Sequence, residues 1–274
     1  IDLLPPIVRT GLVLGLGFSM LVTACLYARI LLPSPWALTM GGMLSDPLTY
    51  FTLVGVLLIL LLYVRQKELA LPIGIGIVLL LTWAEGFWEI PAAPFLQPEL
   101  ALPLMAGGQD TLNVPAAIGL GITLLIALTV ESAAVLSAEG ERPPAKPDVP
   151  LARLFAISGI GSLLGAFPLS IAPISAALPA AEERRIGGIP ATAMGTALLL
   201  FLLLPCAPLL AALAEFPAAP ALALAMLGLI LLQRALVQLQ SAKRLTLCDA
   251  AVLAVFVLAS YDLRTGLTLA LLTW

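Results

Sequence analysis

The sequence predicts an all-α polytopic membrane protein with about ten transmembrane segments, on three observations. The first is composition: 61% of the 274 residues are hydrophobic, 11% are charged and the mean hydropathy is +1.10, well outside the range of soluble domains. The second is a recurrence of uncharged runs at 10–28, 48–64, 69–84, 111–130, 154–181, 186–214 and 216–233, each long enough to approach or cross a hydrocarbon layer roughly 30 Å thick. Two shorter runs, 250–261 and 265–274, follow and are separated by Asp262 and Arg264. The third is the segregation of Lys and Arg to one side of these runs. The chain opens on Ile1 with Pro5 and Pro6 leading straight into a span, and it stops abruptly at Trp274. These ends read as those of a fragment of something longer.

Composition also excludes functions. The net charge is −3 and no basic patch is interleaved with aromatics, so no nucleic-acid partner is expected. The absence of histidine removes the usual zinc ligand, the usual general base and any Ser-His triad. Cys25, Cys206 and Cys248 lie in or beside apolar runs without C-x-x-C spacing, which reads as small buried hydrophobes. No metal, cofactor or enzymatic activity is expected.

Orientation follows from the rule that cytoplasmic loops retain positive charge. The segment 154–181, LFAISGIGSLLGAFPLSIAPISAALPAA, is uncharged for 28 residues. If it crosses twice and the chain enters from the cytoplasm at Arg9, eleven of the thirteen basic residues lie inside, with Arg29 and Arg264 outside. A single crossing reduces the tally to seven against six, so two passes are predicted. The acidic loop 85–110, with Glu85, Glu89, Glu99 and Asp110, then lies outside.

The second of those passes contains Pro168, Pro173 and Pro179, each of which removes a donor and holds the preceding residue extended. A discontinuous span is predicted, extended from Pro168 to Ala172 and helical from Ile174, with Ser175 as N-cap. A half-helix of this kind starts near the bilayer midplane. Its free N–H groups there form a site for polar or anionic groups.

Several local patterns resemble the xanthine/uracil permease family of nucleobase–cation symporters, in its adenine/guanine/hypoxanthine permease branch. Val130 to Leu136, VESAAVL, is similar to the family's F-D-T-x-G-T-L, with Glu131 at the Asp and Ser132 at the Thr. Gly159 to Ala166, GIGSLLGA, is similar to D-A-L-G-T-x-x-G-A. Against T-T-Y-x-E-S-A-A-G the chain has Ser170-Ile171-Ala172-Pro173-Ile174-Ser175-Ala176-Ala177. Ser175, Ala176 and Ala177 match, and Ile174 stands where the family has a carboxylate that contacts the nucleobase. The resemblance implies the C-terminal part of a fold of two inverted repeats of seven spans. Residues 1–110 would supply three gate-domain spans and an outer loop, 111–214 four core-domain spans on the substrate side, and 215–274 gate-domain spans, the last incomplete.

It further implies proton-coupled uptake of a nucleobase or similar small heterocycle by a secondary-active transporter in a bacterial inner membrane, with a homodimer as a candidate assembly. The substrate-binding or proton-coupling residues would be Glu131, Ser132, Ser170, Ile174, Ser175 and Ala176. An alternative is a non-transporting scaffold or partner subunit that kept the fold and lost the carboxylate at Ile174. Glu131 carries the reading independently of any family. An isolated carboxylate at mid-membrane depth costs several kcal/mol unless it has a partner, a cavity or a proton. Ala127, Ala134 and Ala138 lie on its helical face, which permits close approach of a helix or a ligand. Glu131 is expected to face the N-terminus of the Ile174–Ala181 half-helix across a small cavity. The glycine pairs Gly15/Gly17, Gly74/Gly76 and Gly119/Gly121 are expected to serve helix packing, and Asp249, Asp262 and Arg264 to lie in solvated turns.

Overall fold

The computed structural model of the chain describes residues 4–33, 38–40, 46–65, 69–96, 114–138, 148–163, 171–172, 189–241 and 246–273. The helices are α1 (Pro6–Tyr27), α2 (Pro47–Arg65), α3 (Ala70–Ala84), α4 (Val114–Ala138), α5 (Asp148–Leu163), α6 (Ile189–Leu203), α7 (Ala207–Glu215), α8 (Ala218–Ser241), α9 (Leu247–Leu258) and α10 (Leu263–Thr273). Among the described residues, five helical segments are long and apolar enough to cross a bilayer: α1, α2, Ile118–Ala138 of α4, Met194–Leu213 over α6 and α7, and α8. The protein is an all-α, multi-pass membrane protein.

Two details depart from the expected pattern of unbroken spans. After α1 the chain reverses through Arg29, whose φ is 56°. It then forms a ribbon of two three-residue antiparallel strands, β1 (Leu31–Pro33) and β2 (Leu38–Met40), with Leu31 opposite Met40. The run 186–214 is interrupted by a 3₁₀ turn over Leu204–Cys206. Pro205 and Pro208 each withhold an N–H from the ladder there, and the Pro205 carbonyl accepts instead from Leu96 N–H at 2.8 Å. The discontinuous pass expected near 165–181 lies outside the described residues apart from Ile171 and Ala172, which are non-helical.

The described residues fall into two compact units: one from Ile1–Ser19, Glu99–Leu178 and Ile230–Trp274, the other from Met20–Pro98 and Pro179–Leu229. The second has an apolar core of Leu48, Phe51, Ile59, Ala70, Val78, Ala218, Leu222 and Met226. Its α2 and α3 meet at Gly74, whose missing side chain admits Ile59, a residue with no exposed surface. A Cβ at Gly74 would overlap Ile59 Cγ1 and stand 2.9 Å from Cδ1. Gly74→Ala is therefore expected to destabilise the detergent-solubilised protein by about 1–3 kcal/mol, and Ile59→Ala in the same chain to recover part of that loss in thermal unfolding. The packing expectation for the glycines holds at Gly15 and Gly74 and fails at Gly76, Gly119 and Gly121. A Cβ at any of these three would meet nothing within 4 Å.

Contacts at the ends of the spans agree with the charge-derived sidedness. Arg29, Asp46, Phe87 and Phe216, all assigned to the outer side, cluster in one unit. Arg29 pairs with Asp46 at 3.7 Å, Thr49 Oγ1 donates to the Ala28 carbonyl at 2.8 Å, and Phe87 stacks on Phe216 with ring centroids 4.9 Å apart. In the other unit two donors from α8 close the C-terminus of α4: Arg234 Nη1 donates to the Ala138 carbonyl and Gln238 Nε2 to the Ser137 carbonyl, both at 3.0 Å. A cation and an amide donor at orphan carbonyls suit a helix C-terminus. Because α4 and α8 thus end on the same face of the bilayer, the chain from Ala138 to Ala218 crosses it an odd number of times. This parity is what two passes over 154–181 followed by one over 186–214 require.

Candidate functional site

The unit containing α4 holds a cavity of about 130 Å³ lined by Leu16 and Ser19 of α1, Ala127, Val130 and Glu131 of α4, and the stretch Ser260–Arg264 that joins α9 to α10. Its depth follows from the two long helices. The 22 residues of α1 span about 33 Å, and Leu16 lies about 15 Å from the start. Ala127 lies about 20 Å from the start of α4 and about 16 Å from its end. Both values place the cavity near the middle of the two helices.

Each wall has a local cause. On α4, the small Ala127 leaves space one turn before Glu131, whose side chain is exposed at the cavity. On α1, Gly11 and Gly15 let α9 and α10 come close: Gly11 lies against the Phe256 ring, and a Cβ on Gly15 would be 2.7 Å from Leu263 Cδ2 and 3.2 Å from the Phe256 carbonyl oxygen. The third wall is a hydrogen-bonded turn. Asp262 Oδ1 accepts from Arg264 N–H at 3.2 Å and from Nε at 3.0 Å, and Asp262 Oδ2 accepts from the Thr265 hydroxyl at 2.7 Å. Arg264 Nη1 also reaches the Thr123 carbonyl at 3.5 Å.

The Arg264 guanidinium and Glu131 interact electrostatically across this space. Two carboxylates and one cation therefore share a site in which every charge has an opposite charge near it. Such an arrangement lets an intramembrane carboxylate persist and can exchange a proton or hold a small polar molecule. Among the described residues no group of three or more His, Cys, Asp or Glu side chains is arranged to hold a metal ion.

Of the site residues expected from sequence, Glu131 is in the cavity and Ser132 is not. Ser132 is fully buried on another face of α4, where its Oγ accepts from Ile171 N–H at 3.3 Å. That bond brings the non-helical Ile171–Ala172 segment against the turn that carries Glu131. Ser170, Ile174, Ser175 and Ala176 lie outside the described residues, as does the expected half-helix. Beside Glu131 stand Ser260, which fell inside the apolar run 250–261, and Asp262 and Arg264, which were expected in a solvated turn and have side chains 45 and 38% exposed. The signal for the turn was the length of the preceding apolar run, 12 residues, too short to cross. Thr123 and Thr129 bond back to their own helix, donating to the Gly119 and Leu125 carbonyls at 2.8 and 2.6 Å.

Comparison with protein-family models, with curated proteins and with solved structures returns no match, so the permease resemblance rests on the quoted sequence motifs alone.

Proposed function

We propose that the chain is a secondary-active transporter in which Glu131 carries the coupling proton and the mid-membrane cavity receives the solute. The observation that supports this most is that a carboxylate, Glu131, and a guanidinium, Arg264, line one polar cavity beside apolar spans. Ionisable groups at that depth are costly and occur chiefly on substrate, ion or proton pathways. The cavity's 130 Å³ corresponds to about four waters at roughly 30 Å³ each. It is thus smaller than the roughly 300 Å³ at which pockets for drug-sized ligands begin, which favours a small solute. The permease motifs favour a nucleobase or similar heterocycle and a bacterial inner membrane.

The test is uptake of labelled purines and pyrimidines by cells carrying the full-length protein, measured at several external pH values. The expected result is pH-dependent accumulation that Glu131→Gln abolishes. Accumulation unchanged in that variant would remove the coupling role. No accumulation of any base by the unmodified protein would favour the scaffold reading, in which Ile174 replaces the family's carboxylate.

A further inference from the structure

We infer that α9 and α10 form a re-entrant helical pair, entering and leaving the bilayer on the same side, and that its tip, Ser260–Arg264, is a wall of the mid-membrane site rather than an extramembrane loop. The inference does not depend on transport and holds whether or not Glu131 carries a proton.

Length is the first argument. With 12 residues between its N-cap and the turn, α9 extends about 18 Å, about half of a roughly 30 Å hydrocarbon layer. Depth is the second. The link residues Ser260–Asp262 and their neighbours Leu263 and Arg264 line one cavity with the central residues of α1 and α4, Leu16, Ser19, Ala127 and Glu131. The pair therefore turns where a lipid-exposed turn would be unfavourable, and its polar groups are satisfied by its own side chains, the Arg264–Asp262 and Thr265–Asp262 bonds of 3.0 and 2.7 Å.

Direction is the third argument, and it separates a re-entrant pair from a single broken span. A Cβ on Gly266 would stand 3.3 Å from Ala259 Cβ and 3.4 Å from Phe256 Cδ1. In a continuous helix residues 256 and 266 would be about 15 Å apart, so the chain doubles back at the tip. A broken span would instead continue α10 along the N-terminal half of α4. In that half residues 118–126 of α4 are all exposed, with Arg264 at the start of α10 reaching the Thr123 carbonyl at 3.5 Å, whereas Val130, Ser132, Ala133, Ala134, Val135 and Ala138 are buried. Since α10 packs on α4, the remainder of the helix packs along the buried C-terminal half. Thr246, the N-cap of α9, is exposed and forms a capping box with Asp249, as expected of a helix that begins in water.

The experiment places spin labels on Leu247→Cys and Leu272→Cys in the full chain, with Cys25, Cys206 and Cys248 replaced by alanine. Both leucines are exposed, at 89 and 83%, so the labels should not disturb folding. A re-entrant pair puts the labels within about 20 Å, given an interaxial separation of 8–10 Å plus the label arms. A broken span puts residues 25 positions apart about 38 Å from one another. A distance above about 30 Å overturns the inference, as does labelling of the two cysteines from opposite sides by an impermeant maleimide in sealed vesicles.

Discussion

Phe256→Ala is expected to be the most destabilising single substitution in the unit that holds the cavity, costing about 3–5 kcal/mol. The ring has no exposed surface and is the largest of the fully buried side chains. The ring lies against Gly11 of α1 and Gly266 of α10, and the backbone of the same residue lies against Gly15 of α1. Its removal opens a hole where α1, α9 and α10 meet, and the glycines that frame it have no side chains with which to fill the space. The converse change, Gly11→Ala, would drive a methyl group into Phe256 and is expected to cost about 1–3 kcal/mol. The two effects share a cause, so Gly11→Ala with Phe256→Leu should lose less than the sum of the two single variants. Thermal unfolding in detergent measures all four chains.

Arg264→Gln has the larger consequence for function. It leaves Asp262, bonded to the guanidinium at 3.0 Å, and Glu131 as two carboxylates in one mid-membrane cavity without a cation. Removing one partner of an enclosed ion pair costs about 3–5 kcal/mol. Here the side chains are 38 and 45% exposed, which lowers the expected loss to about 1–3 kcal/mol. Adding Asp262→Asn should restore most of that stability by relieving the excess negative charge. Uptake, where measured, should fall in Arg264→Gln and stay low in the double variant, because the cavity then lacks the charge that faces Glu131. Equal stability of Arg264→Gln and the unmodified protein would show that the guanidinium is solvated and idle.

Much of the fold could be read from the chain because membrane spans are long and compositional. Runs such as 10–28 and 216–233 appear as α1 and α8, and the positions of Lys and Arg predict which ends of α4 and α8 lie together. Glu131 was legible for the same reason, as a single charge in a run that lipid would otherwise select. Its partner was not. Asp262 and Arg264 stand two residues apart between short apolar runs, a pattern that fits a surface turn as well as a re-entrant tip. Only the approach of Phe256 and Leu263 to glycines of α1, about 250 residues earlier in the chain, brings the pair to mid-depth. Ser132 stands apart from this cavity. Being next to Glu131 in sequence places it about 100° around the helix, on the face that binds the Ile171 N–H rather than the one that meets the cavity.

The facing of Glu131 and Arg264 within the membrane is tested most directly by a double-mutant cycle on thermal stability, with Glu131→Gln, Arg264→Gln and the two combined. The account predicts that the combined variant is more stable than the two single losses imply, by a coupling of about 0.5–3 kcal/mol. Losses that add to within about 0.3–0.5 kcal/mol would show that the two charges do not sense one another, and would contradict it.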